Sequence, residues 1–178
     1  GPEPTSYTAL TTPLLTATDH IVIGTADGEV HALTLAGDTA WSYSAGSAVT
    51  GDPVVSADGT IVVATDNGMM RWISADGSEL GSHAVVPGLN AAPALADHEH
   101  VFIGPVSNQV RRLSLSTGAE WTASVGAAPH HAVAINGAGH VLSAGHVSEN
   151  LFAAKHTKLN AFLPASGALA WSTIIGNA

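Results

Sequence analysis

The sequence predicts an all-β chain built from four repeated units, each of four short antiparallel strands. Three observations predict it. "IVIGT" at 21–25 returns as "IVVAT" at 61–65, "VFIGP" at 101–105 and "VLSAG" at 141–145, a step of 40 residues each time. Turn residues hold the same step: Asp27-Gly28, Asn67-Gly68 and, in weaker form, Ser107-Asn108. No stretch sustains the 3.6-residue periodicity of a helix, whereas short β-branched runs alternate with Gly, Asp and Asn.

The first unit justifies each element in turn. "PLLTA" (13–17) is a short apolar strand that ends at Thr18-Asp19. "HIVIGT" (20–25) is rich in β-branched residues, which suit a pleated strand. Ala26-Asp27-Gly28 supplies the positive φ of a tight hairpin. "EVHALTL" (29–35) alternates with period two, Ala36-Gly37-Asp38 turns the chain, and "AWSYSA" (40–45) is the fourth strand. Pro13, Pro53 and Pro93 repeat at the first strand, with Val133 in the fourth unit. The third strand recurs as "MMRWI", "VRRL" and "LNAF", and the second turn as Gly77, Gly118 and Gly167. Trp41, Trp121 and Trp171 share a slot in the fourth strand, and Leu80 takes it in the second unit. The innermost strands are expected near 13–17, 53–57, 93–97 and 132–136. The repeats run over about 10–49, 50–89, 90–128 and 129–176 of a single domain, 1–178. Four strands in about 40 residues is the period of a β-propeller blade.

Composition narrows the function. Hydrophobic residues make up 46% of the chain and charged ones 11%, so the apolar excess must lie in strands buried on both faces or at an interface. No apolar run reaches the roughly 18–20 residues that span a bilayer. Five basic against fourteen acidic residues give a net charge of −9, which disfavours nucleic acid and anionic membranes. With no cysteine, disulfides, thiolate chemistry and zinc–thiolate sites are excluded. No signal peptide is visible, and the opening "GPEPTSY" reads as a trimmed start, which is compatible with a leader upstream.

The combination of a first-strand Pro, Asp-Gly before alternating Ile/Val, a second Asp/Asn-Gly, "AL", and Gly followed by Trp resembles the PQQ-like repeat. That repeat builds quinoprotein dehydrogenases and BamB-type outer-membrane assembly lipoproteins. The resemblance covers about residues 10–176 and implies a β-propeller. It also implies that Trp41, Trp121 and Trp171 dock neighbouring blades, with Leu80 departing from the pattern. The quinoproteins use a quinone, a Ca²⁺ held by carboxylate and amide oxygens, an Asp base and a Trp beneath the quinone. Many also have an adjacent disulfide. No counterpart of the Asp base or calcium set is found here. Asp19, Asp27, Asp38, Asp58, Asp66, Asp76 and Asp97 fall mostly in predicted turns. The resemblance therefore carries the fold and not the enzyme, and no PQQ or Ca²⁺ is expected. It implies a non-catalytic module for protein binding or assembly, periplasmic or extracellular. The alternative is part of a quinone- or metal-dependent oxidoreductase propeller.

Neither G-x-S-x-G nor H-E-x-x-H occurs. "DHEH" at 97–100 sets His98 and His100 in a hairpin turn, where a solvated loop is the simplest reading. His20, His100 and His140 occupy equivalent positions, with Thr60 in the second unit, and read as inherited repeat residues. The sharpest candidates lie in the fourth unit. His130 and His131 precede "AVAIN" (132–136), and an insertion, "HVSENLFAAKHTK" (146–158), leaves between the second and third strands. In a propeller those two loops emerge on one face, so His130, His131, His146, Glu149, Lys155 and His156 can converge on one rim. The histidines offer ligands to a transition metal, and Glu149 and Lys155 suit contact with a partner or ligand. Alternatively the insertion only covers the propeller mouth or lies in an interface.

Relatives with this repeat usually close seven or eight blades. Four blades form a tight ring, belong to a longer protein, or leave an open half with apolar ends. "EPTSYTALTT" (3–12) aligns with the fourth strand of a preceding blade, and "AWSTIIG" (170–176) completes the last unit. The expected partner is a protein, foremost a second copy in a two-fold homodimer of eight blades. Trp171 and Ile174 are then expected near one junction, with Leu14 and Ile21 near the other.

Overall fold

The 40-residue step becomes a repeated four-stranded antiparallel sheet in the computed structural model, which describes residues 11–85, 92–97, 99–106, 108–125, 133–147 and 156–177. The first sheet runs β1 (Leu14–Leu15), β2 (His20–Gly24), β3 (Glu29–Thr34), β4 (Thr39–Ser44) in spatial order. The second runs β5 (Val49–Val55), β6 (Ile61–Thr65), β7 (Met69–Ile73), β8 (Glu79–Ala84). The third holds β9 (Ala94–Leu95), β10 (His100–Val106), β11 (Gln109–Ser114) and β12 (Gly118–Ser124). The fourth holds β13 (Ala134–Ile135), β14 (Val141–Val147), β15 (His156–Phe162) and β16 (Leu169–Asn177). There is no helix among the described residues. The fold is the all-β propeller of four-stranded antiparallel blades that the repeat predicts. The innermost strands fall where expected but are short, except β5, which starts early at Val49 and carries bulges.

Local turn chemistry explains why the repeat folds alike each time. Gly28, Gly68 and Asn108 take φ of 88°, 83° and 63°. Their carbonyls accept hydrogen bonds from the amides of Ala45, Val85 and Val125 at 2.7, 2.7 and 2.9 Å. Asn tolerates the left-handed region, so the weakened Ser107-Asn108 match keeps the turn. At the first hairpin, the carbonyls of His20, His100 and His140 accept from the amides of Thr16, Ala96 and Asn136 at 2.9–3.1 Å. The common property of the three equivalent histidines is thus a backbone bond.

Each outer strand carries a bulge. Ala32 pairs with Trp41 and Leu33 with Thr39, and the other three blades repeat this skip. The extra residues are Ala40, Leu80, Glu120 and Ala170. This corrects the docking slot of the second blade. The residue paired with Trp72, as Trp41 is with Ala32, is Gly81; Leu80 is the bulged residue and is 55% exposed.

The chain divides into two compact units, Gly1–Val55 with Gly59–Asn90, and Ser56–Asp58 with Ala91–Ala178. The first unit buries Val22, Val30, Ala45, Val49, Ile61 and Val63, with Leu14, Trp41 and Tyr43 packed against them. The second buries Phe102, Val110, Val125, Val133, Val141 and Phe162, with Trp121 and Ile135 alongside. Both cores come from the alternate, inward positions of their strands.

In the fourth blade, Gly145, His146 and Val147 pair with Lys158, Thr157 and His156. The two ends of the insertion therefore lengthen the β14–β15 ladder, and residues 148–155 lie outside the described residues. Along β16, Trp171, Ser172, Thr173 and Ile174 pair in unbroken sequence with Ala161, Asn160, Leu159 and Lys158. Strand alternation then turns Ile174 to the face opposite Trp171. Leu14 packs on the first core, and Ile21 is half-buried.

Candidate functional site

The outer strands carry the most specific contacts. On β4, the Trp41 indole Nε1 donates to the carbonyl of Ala75 in the second blade at 3.0 Å. Its ring lies against Gly77, where a Cβ would stand 2.8 Å from the indole. On β12, Trp121 repeats this in the second unit. Its Nε1 donates to Pro164 at 2.9 Å, and a Cβ on Gly167 would stand 2.6 Å from its ring. Gly77 and Gly167 have φ of +90° and +68°, so glycine answers both the backbone and the ring. The indole N–H is satisfied where it is buried, as such groups require. Phe102 tilts against Trp121 with centroids 5.8 Å apart. Beside Trp41, Arg71 donates to Tyr43 at 3.2 Å and to Glu79 at 3.1 Å. Burial, then the neighbouring Glu79, pushes the Tyr43 phenol above its ordinary range.

Trp171 occupies the same position on β16 but is 40% exposed. Leu169, Ile174 and Ile175 on that strand are each more than half exposed. The β3–β4 turn of the first blade is the counterpart of the turns that receive Trp41 and Trp121. There Leu35 is 64% exposed, Gly37 has φ of +91°, and nothing lies within 4 Å of where its Cβ would stand.

The histidine-rich rim is placed only in part. His130, His131, Glu149, Lys155 and also His98 lie outside the described residues. Position 146 pairs with Thr157, and His156 pairs with Val147. His156 is half-buried, and its Nδ1 has no hydrogen-bond partner among the described residues. No three His, Asp or Glu among the described residues gather at metal-holding spacing.

A cleft of about 260 Å³ in the second unit is lined by Asp97, His100, Phe102, Arg112, Ile135 and Pro164 among others; of the residues discussed from sequence it holds Asp97 and His100 and none of the fourth-unit histidine candidates. The Asp97 carboxylate lies 2.9 Å from His100 Nδ1. Burial pushes Asp97 up, but bonds from His100 and from the amides of Glu99 and His100 outweigh it and hold the carboxyl below its usual range. Next to it, Glu99 accepts from the hydroxyls of Ser114 and Ser116, which lowers its carboxyl too. Arg112 donates to the carbonyl of Ala165 at 3.4 Å.

Sequence reasoning missed Gly81 and the receiving turns at Ala75–Gly77 and Pro164–Gly167. A signal was present: Trp41 and Trp171 each stand four residues after a turn glycine, Gly37 and Gly167, and four residues after Gly77 is Gly81.

Over residues 5–178 the chain matches the family described as outer membrane protein assembly factor BamB. No curated protein matches its sequence. Among solved structures it is similar to BamB from Moraxella catarrhalis, at 14% identity and a TM-score of 0.67, covering 94% of this chain and 52% of that one. It is also similar to the β-propeller domain of Cps50 (Swd1) from Myceliophteria thermophila, at 13% identity and a TM-score of 0.73, covering 96% and 58% of the two chains. The computationally designed Ika8 protein matches at 18% identity and a TM-score of 0.66, with 90% and 48% covered. This chain thus spans roughly half the length of these structures, and at such identities the likeness is one of fold. The family match extends over all four blades, and the chain belongs to the BamB-type family of PQQ-like repeat propellers.

Proposed function

We propose that this chain is a non-catalytic propeller module for protein binding and assembly, acting outside the cytoplasm. The observation that carries the reading is β16, the outer strand of the fourth blade, where Leu169, Trp171, Ile174 and Ile175 are all exposed. Large apolar side chains clustered on one edge strand mark an interaction surface. The family's description, an outer membrane protein assembly factor, supports both the assembly role and the extracytoplasmic setting. The acidic balance of the chain points to a protein partner and not to nucleic acid. Self-association belongs to the same reading, since an open apolar edge serves a second copy as well as another protein.

The competing reading is a quinone- or metal-dependent oxidoreductase, with the inserted β14–β15 hairpin as its site. Thermal unfolding decides between them. Pyrroloquinoline quinone with Ca²⁺, and separately Zn²⁺, Cu²⁺ and Ni²⁺, are added to the protein. A ligand that binds only the folded state raises the melting temperature. No rise is expected; a saturable rise of several degrees with any of them overturns the non-catalytic reading.

A further inference from the structure

We propose that the cleft between the third and fourth blades binds a zwitterionic amino acid with a large apolar side chain. Its carboxylate sits on Arg112, its ammonium on Asp97, and its side chain against Phe102, Ile135 and Pro164. The inference goes beyond the assembly reading and does not depend on it.

The charges in this cleft are a departure from the repeat. At the positions of Asp97 and Arg112, the first blade has Ala17 and Ala32, the second Ala57 and Trp72, and the fourth Gly137 and Ala161. The strand register is the same: Val22 pairs with Ala32, Val62 with Trp72, Phe102 with Arg112, and Leu142 with Ala161. Three blades fold without either charge, so the blade itself does not require the pair. A local break in an otherwise kept pattern is where function is expected. The cleft is also open at a point that is closed in the first unit. A Cβ on Gly59 would stand 3.6 Å from the Cβ of Ala75, whereas nothing lies within 4 Å of that position on Gly139, the equivalent glycine.

Size and charge define the occupant. At about 260 Å³ the cleft falls just short of the roughly 300–1,000 Å³ that takes a drug-sized ligand, which suits one large amino acid. Asp97 is fixed in place. Its Oδ1 accepts from the amides of Glu99 and His100 at 2.8 and 2.7 Å, and its Oδ2 lies 2.9 Å from the His100 ring. Its side chain is still 47% exposed, and a carboxylate has lone pairs for several donors. Arg112 is held to the fourth-blade wall by its 3.4 Å bond to the Ala165 carbonyl, and a guanidinium is the planar fork that matches a carboxylate. One fixed cation and one fixed anion beside an apolar floor complement a ligand that carries one of each. A ligand with a single charge leaves the opposite wall unanswered.

Titration of the ¹⁵N-labelled full chain with L-phenylalanine, followed by amide chemical shifts, tests this. Saturable shifts are expected at Glu99, His100 and Ile135. Phenethylamine, which lacks the carboxylate, and 3-phenylpropanoate, which lacks the amine, should each bind about tenfold or more weakly, the loss expected for a hydrogen-bonded charge. Arg112→Ala and Asp97→Ala install the residues of the first blade, so both should fold, which circular dichroism checks. Arg112→Ala should abolish the preference for phenylalanine over phenethylamine, and Asp97→Ala the preference over 3-phenylpropanoate. Absence of saturable shifts up to the solubility limit overturns the proposal. So does binding that neither substitution weakens, or equal binding of the three compounds. None of these results touches the assembly reading, whose test is thermal unfolding with quinone and metals.

Discussion

The indole of Trp41 lies so close to Gly77 that a Cβ there would stand 2.8 Å from the ring, while its Nε1 bonds Ala75 two residues earlier at 3.0 Å. Gly77→Ala is therefore expected to destabilise by about 2–4 kcal/mol, combining the left-handed backbone with overpacking. Gly37→Ala, with the same φ but open space, should cost only about 1–2 kcal/mol. Urea unfolding of the two variants checks the difference. Equal losses would show that the ring yields without penalty.

Trp121→Ala and Trp41→Ala remove a ring and the only bond of its N–H. Both rings are half-buried, so a loss of about 2–4 kcal/mol is expected, below that of a fully buried Trp. Unfolding midpoints measure it. A melting temperature within a degree of wild type would mean that the rings contribute nothing to joining adjacent blades.

In the second blade, Trp72 covers the position that Trp41 fills in the first. A Cβ on Gly81 would stand 2.6 Å from the Trp72 ring. Gly81→Trp alone should destabilise by about 1–3 kcal/mol through overpacking. Trp72→Ala with Gly81→Trp should lose less than the two single changes added together, which a double-mutant cycle reads directly. Leu80→Trp, on the exposed bulge, should stay within about 0.5 kcal/mol of wild type.

Glu99 makes stability depend on pH. The Ser114 hydroxyl, then that of Ser116, holds its folded carboxyl below the unfolded value. A depressed carboxyl stabilises fully above the unfolded pKa of about 4.3 and loses that contribution as pH falls through the lower folded pKa. The melting temperature of wild type relative to Glu99→Gln should therefore be highest near neutrality and converge in the acid range below pH 4. A difference that stays constant from pH 7 to pH 3 would show that the carboxylate charge is irrelevant.

The sequence by itself determined the four blades, their strand order and their turns. These are local matters: Gly28, Gly68 and Asn108 can adopt a positive φ wherever they occur, and β-branched runs between such turns have little choice but to pair. It also placed Trp41, Trp121 and Trp171 in one slot, because their spacing from the turn survives the repeat. Only the tertiary structure decided what fills that slot in the second blade. The answer came from Trp72 on the neighbouring strand, and cross-strand register depends on a bulge at Leu80 that one strand's pattern does not reveal. The same holds for Trp171 and Ile174, three residues apart and turned to opposite faces. A repeat carries backbone preference from unit to unit, but which side chains meet is settled by pairing and packing between strands, and that information is not local.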